Sequence, residues 1–506
     1  MSSVDQDPYG RLRDHLNRAY LLKSALGLLD WDQQVNLPPE SAELRSAQSS
    51  LLATLHHEAF TSSQVREALE ALEKAAPPPT DKRSAAARLV RLDYDRAVSL
   101  PQKFVQEKTR HLNRSYHAWA RARDDNDFAS LVPYLEKTLE LAQEEAVLQG
   151  WRERPYDYHL DLHDPGLTAE TVESLFSRLK APLTELVGAL LDSPVKVDPH
   201  LFKGFPPGQQ ERFALRVTEK LGFDYNRGRL DRSLHPFCSG DGNDTRMTTR
   251  FTPDNPLDSL FSAIHETGHG LYGQGLPREE AATPLGEAVG MTIHESQSRL
   301  WENQVARGRP FWRHFGPQYR EYFPEQLRDI SDDEVFLAIN RVALNPIRVD
   351  SDEVTYNLHI MLRFELEKAL FDGRLSVKDL PAEWNRLSRS VIGLEPKSDA
   401  EGVLQDIHWS GGAFGYFPSY TLGNMVAAQL WYRVLEEIPG LEEKFAQGEF
   451  QPLLHWLREN IHRHGRRFDT GKLVERITGG PISPEPLLRY LKQRYLPLYG
   501  SAAGSV

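Results

Sequence analysis

The 506-residue chain reads as a mostly α-helical protein with one small β element. Apolar residues recur at three- and four-residue spacing through most of its length, the period of a helix with one buried face. A single stretch, residues 229–252, breaks that period with a two-residue alternation. The proline- and glycine-rich interruptions are short, so they read as loops within one unit and not as linkers between several.

In chain order, "YLLKSALGLLDW" (20–31), "SLLATLHHEAF" (50–60) and "VREALEALEKA" (65–75) are the first helices. A break at "AAPPPTDK" (75–82) precedes "LVPYLEKTLELAQEEAVL" (131–148) and "VESLFSRLKAPLTELVGALL" (172–191). A second break, "DSPVKVDPHLFKGFPPG" (192–208), leads to the β segment "RLDRSLHPFCSGDGNDTRMTTRFT" (229–252). Its Ser-Gly-Asp-Gly-Asn turn between two extendable runs predicts a β-hairpin. Along it Asp244, Arg246, Thr248 and Arg250 share one face, and Thr245, Met247, Thr249 and Phe251 the other. Helical spacing returns in "DNPLDSLFSAIHETGHGLYG" (254–273), where Leu257, Leu260, Phe261 and Ile264 form an apolar stripe. It continues in "PLGEAVGMTIHESQSRLWENQ" (284–304) and "LEEKFAQGEFQPLLHWLRENIHRH" (441–464). The whole chain, Met1–Val506, is expected to form a single domain.

Composition excludes several function classes. The net charge of −12 and the lack of a long basic run argue against a nucleic-acid partner, which needs clustered Lys and Arg to displace counterions. The single cysteine, Cys238, rules out an internal disulfide and any cysteine-based zinc cluster, and it fits a reducing compartment. The start, "MSSVDQDPYGRLRDH", is polar and lacks the apolar run of a secretory signal, and no apolar stretch is long enough for a bilayer. A cytoplasmic protein without a membrane partner is expected.

The chemistry concentrates in "AIHETGHGLYGQG" (263–275). On a helix, four residues advance about 400° and about 6 Å, so His265 and His269 project from nearly one face. Two imidazoles so placed can each give a nitrogen to one Zn²⁺ at about 2.0–2.1 Å. Glu266 lies about 100° round the helix, off the ligand face but able to reach a water beside the metal. A catalytic site needs a third protein ligand and an open position. Glu287, His294 and Glu295 on the next helical stretch are candidates, and spacing alone leaves them undecided. "QDIHWSGGAFGYFPSYTLGN" (405–424) offers His408, Tyr416 and Tyr420 around a glycine-rich turn suited to close contact with a ligand. Cys238 reads as a buried inert thiol.

Several blocks together resemble the carboxypeptidase Taq family, metallocarboxypeptidases of mostly helical fold. "HPF" (235–237), "DTRMT" (244–248), "HETGH" (265–269), "HESQ" (294–297), "IRVDSDE" (347–353) and "GVLQDIHW" (402–409) occur in the family's order. "LDWDQQVNLPPESAELRSAQ" near the start and "IHRHGRRF" near the end extend the likeness over nearly the whole chain. Ser351 replaces an alanine of the family pattern, and Val35 and Leu37 replace its usual Thr and Met.

The resemblance implies a large helical bundle-like fold with a deep active-site cleft between two lobes and the small β element along one wall. It implies one Zn²⁺ per chain, with Co²⁺ as an alternative, held by His265, His269 and Glu295. Glu266 would be general base toward a metal-activated water, and His408 with Tyr420 or Tyr416 would stabilise the oxyanion, Tyr420 being favoured. Arg246 and Arg348 would grip a substrate carboxylate, with His235 and Asp352 in support. The activity implied is removal of single amino acids from the free C-terminus of peptides, by a homodimer. The alternatives are a zinc oligopeptidase or endopeptidase with the same machinery, and a non-catalytic helical peptide-binding protein.

Overall fold

Pro38 turns the chain between two long helices, Pro8–Val35 and Ala42–Phe60, which pack against each other as an antiparallel pair. This is a computed structural model of the chain, and it describes residues 7–500; the polar start before Asp7 lies outside them. With helices Ser63–Lys74 and Lys82–Ser99 the pair encloses its own small core, including Leu12, Leu16, Val65, Leu69, Val90 and Tyr94. Leu285 from the rest of the chain closes that core. Polar links reinforce the junction: Lys82 pairs with Glu280 at 2.6 Å, and Arg466 with Asp93 at 2.7 Å.

The helices from Gln102–Asp125 to Glu485–Leu498 share one continuous apolar core. The segments at 75–82 and 192–208 are largely loop, as their proline content predicts. Among the described residues no helix is long and apolar enough to cross a membrane.

The β segment contains the expected hairpin and one strand more. Strands β1 (Gly228–Arg232), β2 (Phe237–Gly240) and β3 (Thr245–Thr249) lie in the order β1-β3-β2. β2 and β3 are antiparallel, with Cys238 opposite Met247, whereas β1 runs parallel to β3, with Arg229 opposite Arg246. The predicted alternation holds at Met247, which is buried, and at Arg246, which is half-buried beside Asp244. Thr248 departs from it: its hydroxyl is buried against Ser233 and the amide of Phe237.

One helix boundary is corrected. The stretch 284–304 is not a single helix, because Pro284–Gly286 forms a short turn and regular helix begins only at Met291. Gly290 makes that entry tight: a Cβ there would meet Oδ1 of Asp164 at 2.5 Å. Asp164 in turn accepts from the amide and hydroxyl of Thr292 and from the hydroxyls of Ser419 and Thr470. The helix then passes into π-helical bonding over Leu300–Ala306, a local widening often found at functional sites.

Candidate metal centre

Helix Pro256–Gly275 starts where the Asn255 side chain accepts from the amide of Asp258 and Pro256 fills the first turn. Its apolar stripe is buried at Leu260, Phe261 and Ile264, which fixes the face that His265 and His269 present. The two rings stand edge to face, 4.9 Å apart. Helix Met291–Arg299 crosses at very close range, because Gly268 has no side chain: a Cβ there would meet Cα of Ser298 at 2.5 Å. Helix Pro418–Glu437 presses from the other side through Gly423, whose missing Cβ would lie 2.6 Å from Cγ of Glu295. Glu295 is thereby pushed toward the histidines.

The result is one cluster. Oε2 of Glu295 lies 3.7 Å from Nε2 of His265 and 3.5 Å from Nε2 of His269. Donors bound tetrahedrally at about 2.0–2.1 Å from a common ion would stand about 3.3–3.4 Å apart, so the spacing fits a divalent ion. The outer nitrogens fit as well. Nδ1 of His265 lies 2.9 Å from Oε2 of Glu302, and Nδ1 of His269 bonds to Nδ1 of His294. Both Nε2 atoms therefore face Oε2 of Glu295 with their ring partners already met, an arrangement that could hold a metal ion.

Charges around the cluster are matched. Burial pushes the carboxyls of Glu295 and Glu302 up, but Arg299 with His265 and His269 pulls the first, and Arg299 with His265 and Arg307 the second, far below the usual carboxylate range. Arg299 donates to Glu295 at 2.6 Å and to Glu302 at 3.2 Å, and Arg307 donates to Glu302 at 3.1 Å. His294 was one of three candidates for the third ligand on spacing alone. It is half-buried behind His269 and not in the three-residue cluster, and burial, with the neighbouring His269, lowers its pKa to about 3.

Glu266 makes no side-chain hydrogen bond among the described residues. Burial raises its carboxyl pKa, with His265 and His269 opposing the shift. A buried carboxylate with no bonded partner is poised to accept a proton. Cys238, expected to be buried, is half-buried in the same region, and desolvation, then the charge of Glu266, hold its thiol well above the usual range.

The glycine-rich loop carries three more polar groups. Nε2 of His408 lies 3.3 Å from the Tyr420 hydroxyl, and the Tyr416 and Tyr420 rings are 5.2 Å apart. Burial and the charge of Glu295 both raise the Tyr416 phenol, and Glu266 adds to the effect, so this ring borders the cluster. Burial lowers the His408 pKa to about 3, so its ring is neutral. Glu367 anchors the loop from below, accepting from Tyr156, from the Trp409 indole and from the Gly415 amide at 2.7, 2.7 and 3.0 Å.

The arginines differ in setting. Arg348 is buried, with Nε and Nη2 on Asp406 at 3.0 and 2.8 Å and Nη1 on the Tyr356 hydroxyl at 2.8 Å. Its guanidinium lies 5.1 Å from the Tyr420 ring centre. Arg246 is bound in parallel by Asp244 at 2.9 Å and stacks on Trp31 at 4.4 Å. His235 is exposed at the mouth of β2. Asp352 is committed to local backbone, accepting from the amides of Ala343, Val354 and Thr355. Glu287 stands apart from the metal cluster, bonded to Lys23 and Arg466.

Residues 11–495 match the carboxypeptidase Taq (M32) metallopeptidase family. The chain belongs to that family. It is 42% identical to thermostable carboxypeptidase 1 of Thermus thermophilus, over 97% of this chain and 99% of that protein. It is 36% identical to carboxypeptidase 1 of Bacillus subtilis, over 96% and 97%. The M32 carboxypeptidase of Deinococcus radiodurans superposes with a TM-score of 0.94 at 40% identity, covering 97% of this chain and 99% of that one. This M32 protein is therefore a metallocarboxypeptidase, a peptide hydrolase, and the reading as a non-catalytic binding protein is set aside.

Sequence reasoning missed Arg299, Glu302, Arg307, Tyr356 and Asp406. The available signal was Glu295, Arg299 and Glu302 at helical spacing, charged positions in a segment otherwise suited to burial. Gly423→Ala is expected to displace Glu295 and to weaken metal binding. Overpacking of this kind costs about 1–3 kcal/mol, read as a lower melting temperature together with a higher zinc dissociation constant. Wild-type values for both would show that Gly423 does not set the position of Glu295.

Proposed function

We propose that this M32 enzyme hydrolyses single amino acids from the free C-terminus of peptides at one divalent ion, with Glu266 as general base. The observation that carries the reading is the convergence of Nε2 of His265, Nε2 of His269 and Oε2 of Glu295 beside an unpartnered buried Glu266. Zinc suits two imidazoles and a carboxylate, and cobalt suits them too. When bound, the ion supplies Lewis acidity toward the scissile carbonyl and lowers the pKa of water in its open position.

The chain's own groups do the rest. Glu266 takes a proton from the attacking water and returns it to the departing amine, a role its raised pKa favours. Tyr420, bonded to His408, and Tyr416 donate to the developing oxyanion, where each such donor contributes about 2.7–4 kcal/mol. Arg348 spends three of its five N–H groups on Asp406 and Tyr356, and the other two serve the substrate carboxylate. Asp406 holds it in place, and Arg363 at 2.7 Å shares the load on that carboxylate. Arg246, stacked on Trp31, and His235 line the approach as weaker contacts.

Exposed leucines on the first two helices support a homodimer. Leu21 and Leu28 are 57% and 42% exposed, and Leu44 and Leu51 63% and 61%, each pair seven residues apart on one helical face. Apolar side chains left exposed at paired positions on these two helices favour a second copy of the chain as the partner that covers them. Leu28→Glu with Leu51→Glu should turn a sedimenting dimer into a folded monomer, whereas an unchanged mass would place the interface elsewhere. The single cysteine suits a cytoplasmic setting.

A peptide and its C-terminal amide, compared on one enzyme, separate exopeptidase from oligopeptidase. The free acid should be cleaved one residue at a time and the amide left intact; equal cleavage of both would favour the oligopeptidase reading. Glu266→Gln should keep its metal and lose about 10²–10⁴-fold in kcat. Full turnover in that variant would remove Glu266 as the base.

A further inference from the structure

The two oxygens of Glu295 have different neighbours. Oε2 faces both histidines, at 3.5 and 3.7 Å, and accepts from the Ser298 hydroxyl at 3.3 Å. Oε1 points away from them and accepts from Nε of Arg299 at 2.6 Å. Arg299 cannot follow if Oε1 turns. Its Nη1 is bonded to Glu302 at 3.2 Å, and its guanidinium lies over the Tyr356 ring at 4.6 Å. On the other side the Gly423 backbone packs closely against Cβ and Cγ of Glu295, where an added Cβ would lie 2.7 and 2.6 Å from them.

We propose that Arg299 is a positioning residue that keeps Glu295 a one-oxygen ligand. This rests on the metal reading above and goes beyond it. A carboxylate with both oxygens free can close on a small divalent ion through both of them. The second bond would occupy space that water and the scissile carbonyl need, since a catalytic site works with three protein donors and an open position. Arg299 prevents this by giving Oε1 a charge-assisted bond that is shorter and stronger than a neutral one. Through Nη1 the same guanidinium also holds Glu302, and Glu302 orients His265. One side chain therefore fixes both the number of oxygens offered and the angle of one imidazole.

Affinity alone is a poor readout, because losing an outer-shell partner weakens binding about 10–100-fold while a second oxygen strengthens it. Coordination is the direct one. Crystal structures of zinc-loaded wild type and Arg299→Gln should differ at Oε1, distant from the ion in the wild type and at bonding range, about 2.0–2.2 Å, in the variant. The cobalt-loaded variant should show weaker visible d–d bands, as expected when coordination moves away from tetrahedral.

A merely structural Arg299 would lower the melting temperature and leave both readouts unchanged, which would overturn the proposal. If Arg299→Gln does not fold, Arg299→Lys is measured the same way. It keeps the charge but lacks the planar fork, so Oε1 should approach the ion, and wild-type geometry there would likewise overturn the proposal. Zinc absent from His265, His269 and Oε2 of Glu295 in the wild type would defeat the metal reading instead, and this inference with it.

Discussion

A buried carboxylate placed between two imidazoles and a guanidinium organises this molecule. Glu295 is 5% exposed, and an isolated charge so placed would be strongly unfavourable. It is tolerated because Arg299 meets one oxygen and the ligand nitrogens face the other. The same logic extends outward: Glu302 is shared by His265, Arg299 and Arg307, and Arg307 donates onward to the carbonyl of Ile339. Such a network is stable only when every member is present, so removing one partner costs far more than the pair contributes. These charged groups therefore hold one another in place, the kind of preorganisation that electrostatic catalysis uses.

Backbone proximity makes this charge arrangement possible. Gly268 lets two helices approach so closely that their side chains share one centre, and Gly423 closes the third side. The glycine-rich segment opposite is built differently, on a loop. There Glu367 binds the chain at Trp409 and Gly415, and Asp406 gathers Arg348 and Arg363. The histidine–Glu295 cluster is set by helix packing and the Arg348 side by buried polar anchors. Tyr356 joins them, with Arg299 on its ring and Arg348 on its hydroxyl.

Much of this was legible from residues. The four-residue spacing of His265 and His269 survives folding because helix geometry is local, and so does the turn between β2 and β3. The parallel strand β1 was not told apart from the hairpin, since it lies in the same extended stretch and pairs with β3 by passing over β2. Glu287 resembled Glu295 only while both were assigned to one helix. Its true setting follows from the late start at Met291. Arg299 stands one ordinary helical turn after Glu295 and was there to be read, whereas Arg307 lies beyond a π-helical turn that changes which side chains align. His294 showed only an ambiguous position, and its role appears once His269 is seen beside it.

The central claim is that His265, His269 and Glu295 share one divalent ion. Calorimetric titration of metal-free protein with Zn²⁺ addresses it most directly, comparing wild type with His269→Ala after circular dichroism confirms that both are folded. The account predicts one tight site per chain in the wild type and, in the variant, a loss of affinity greater than the ~100-fold typical of an outer-shell change. Stoichiometric binding with unchanged affinity in His269→Ala would contradict it.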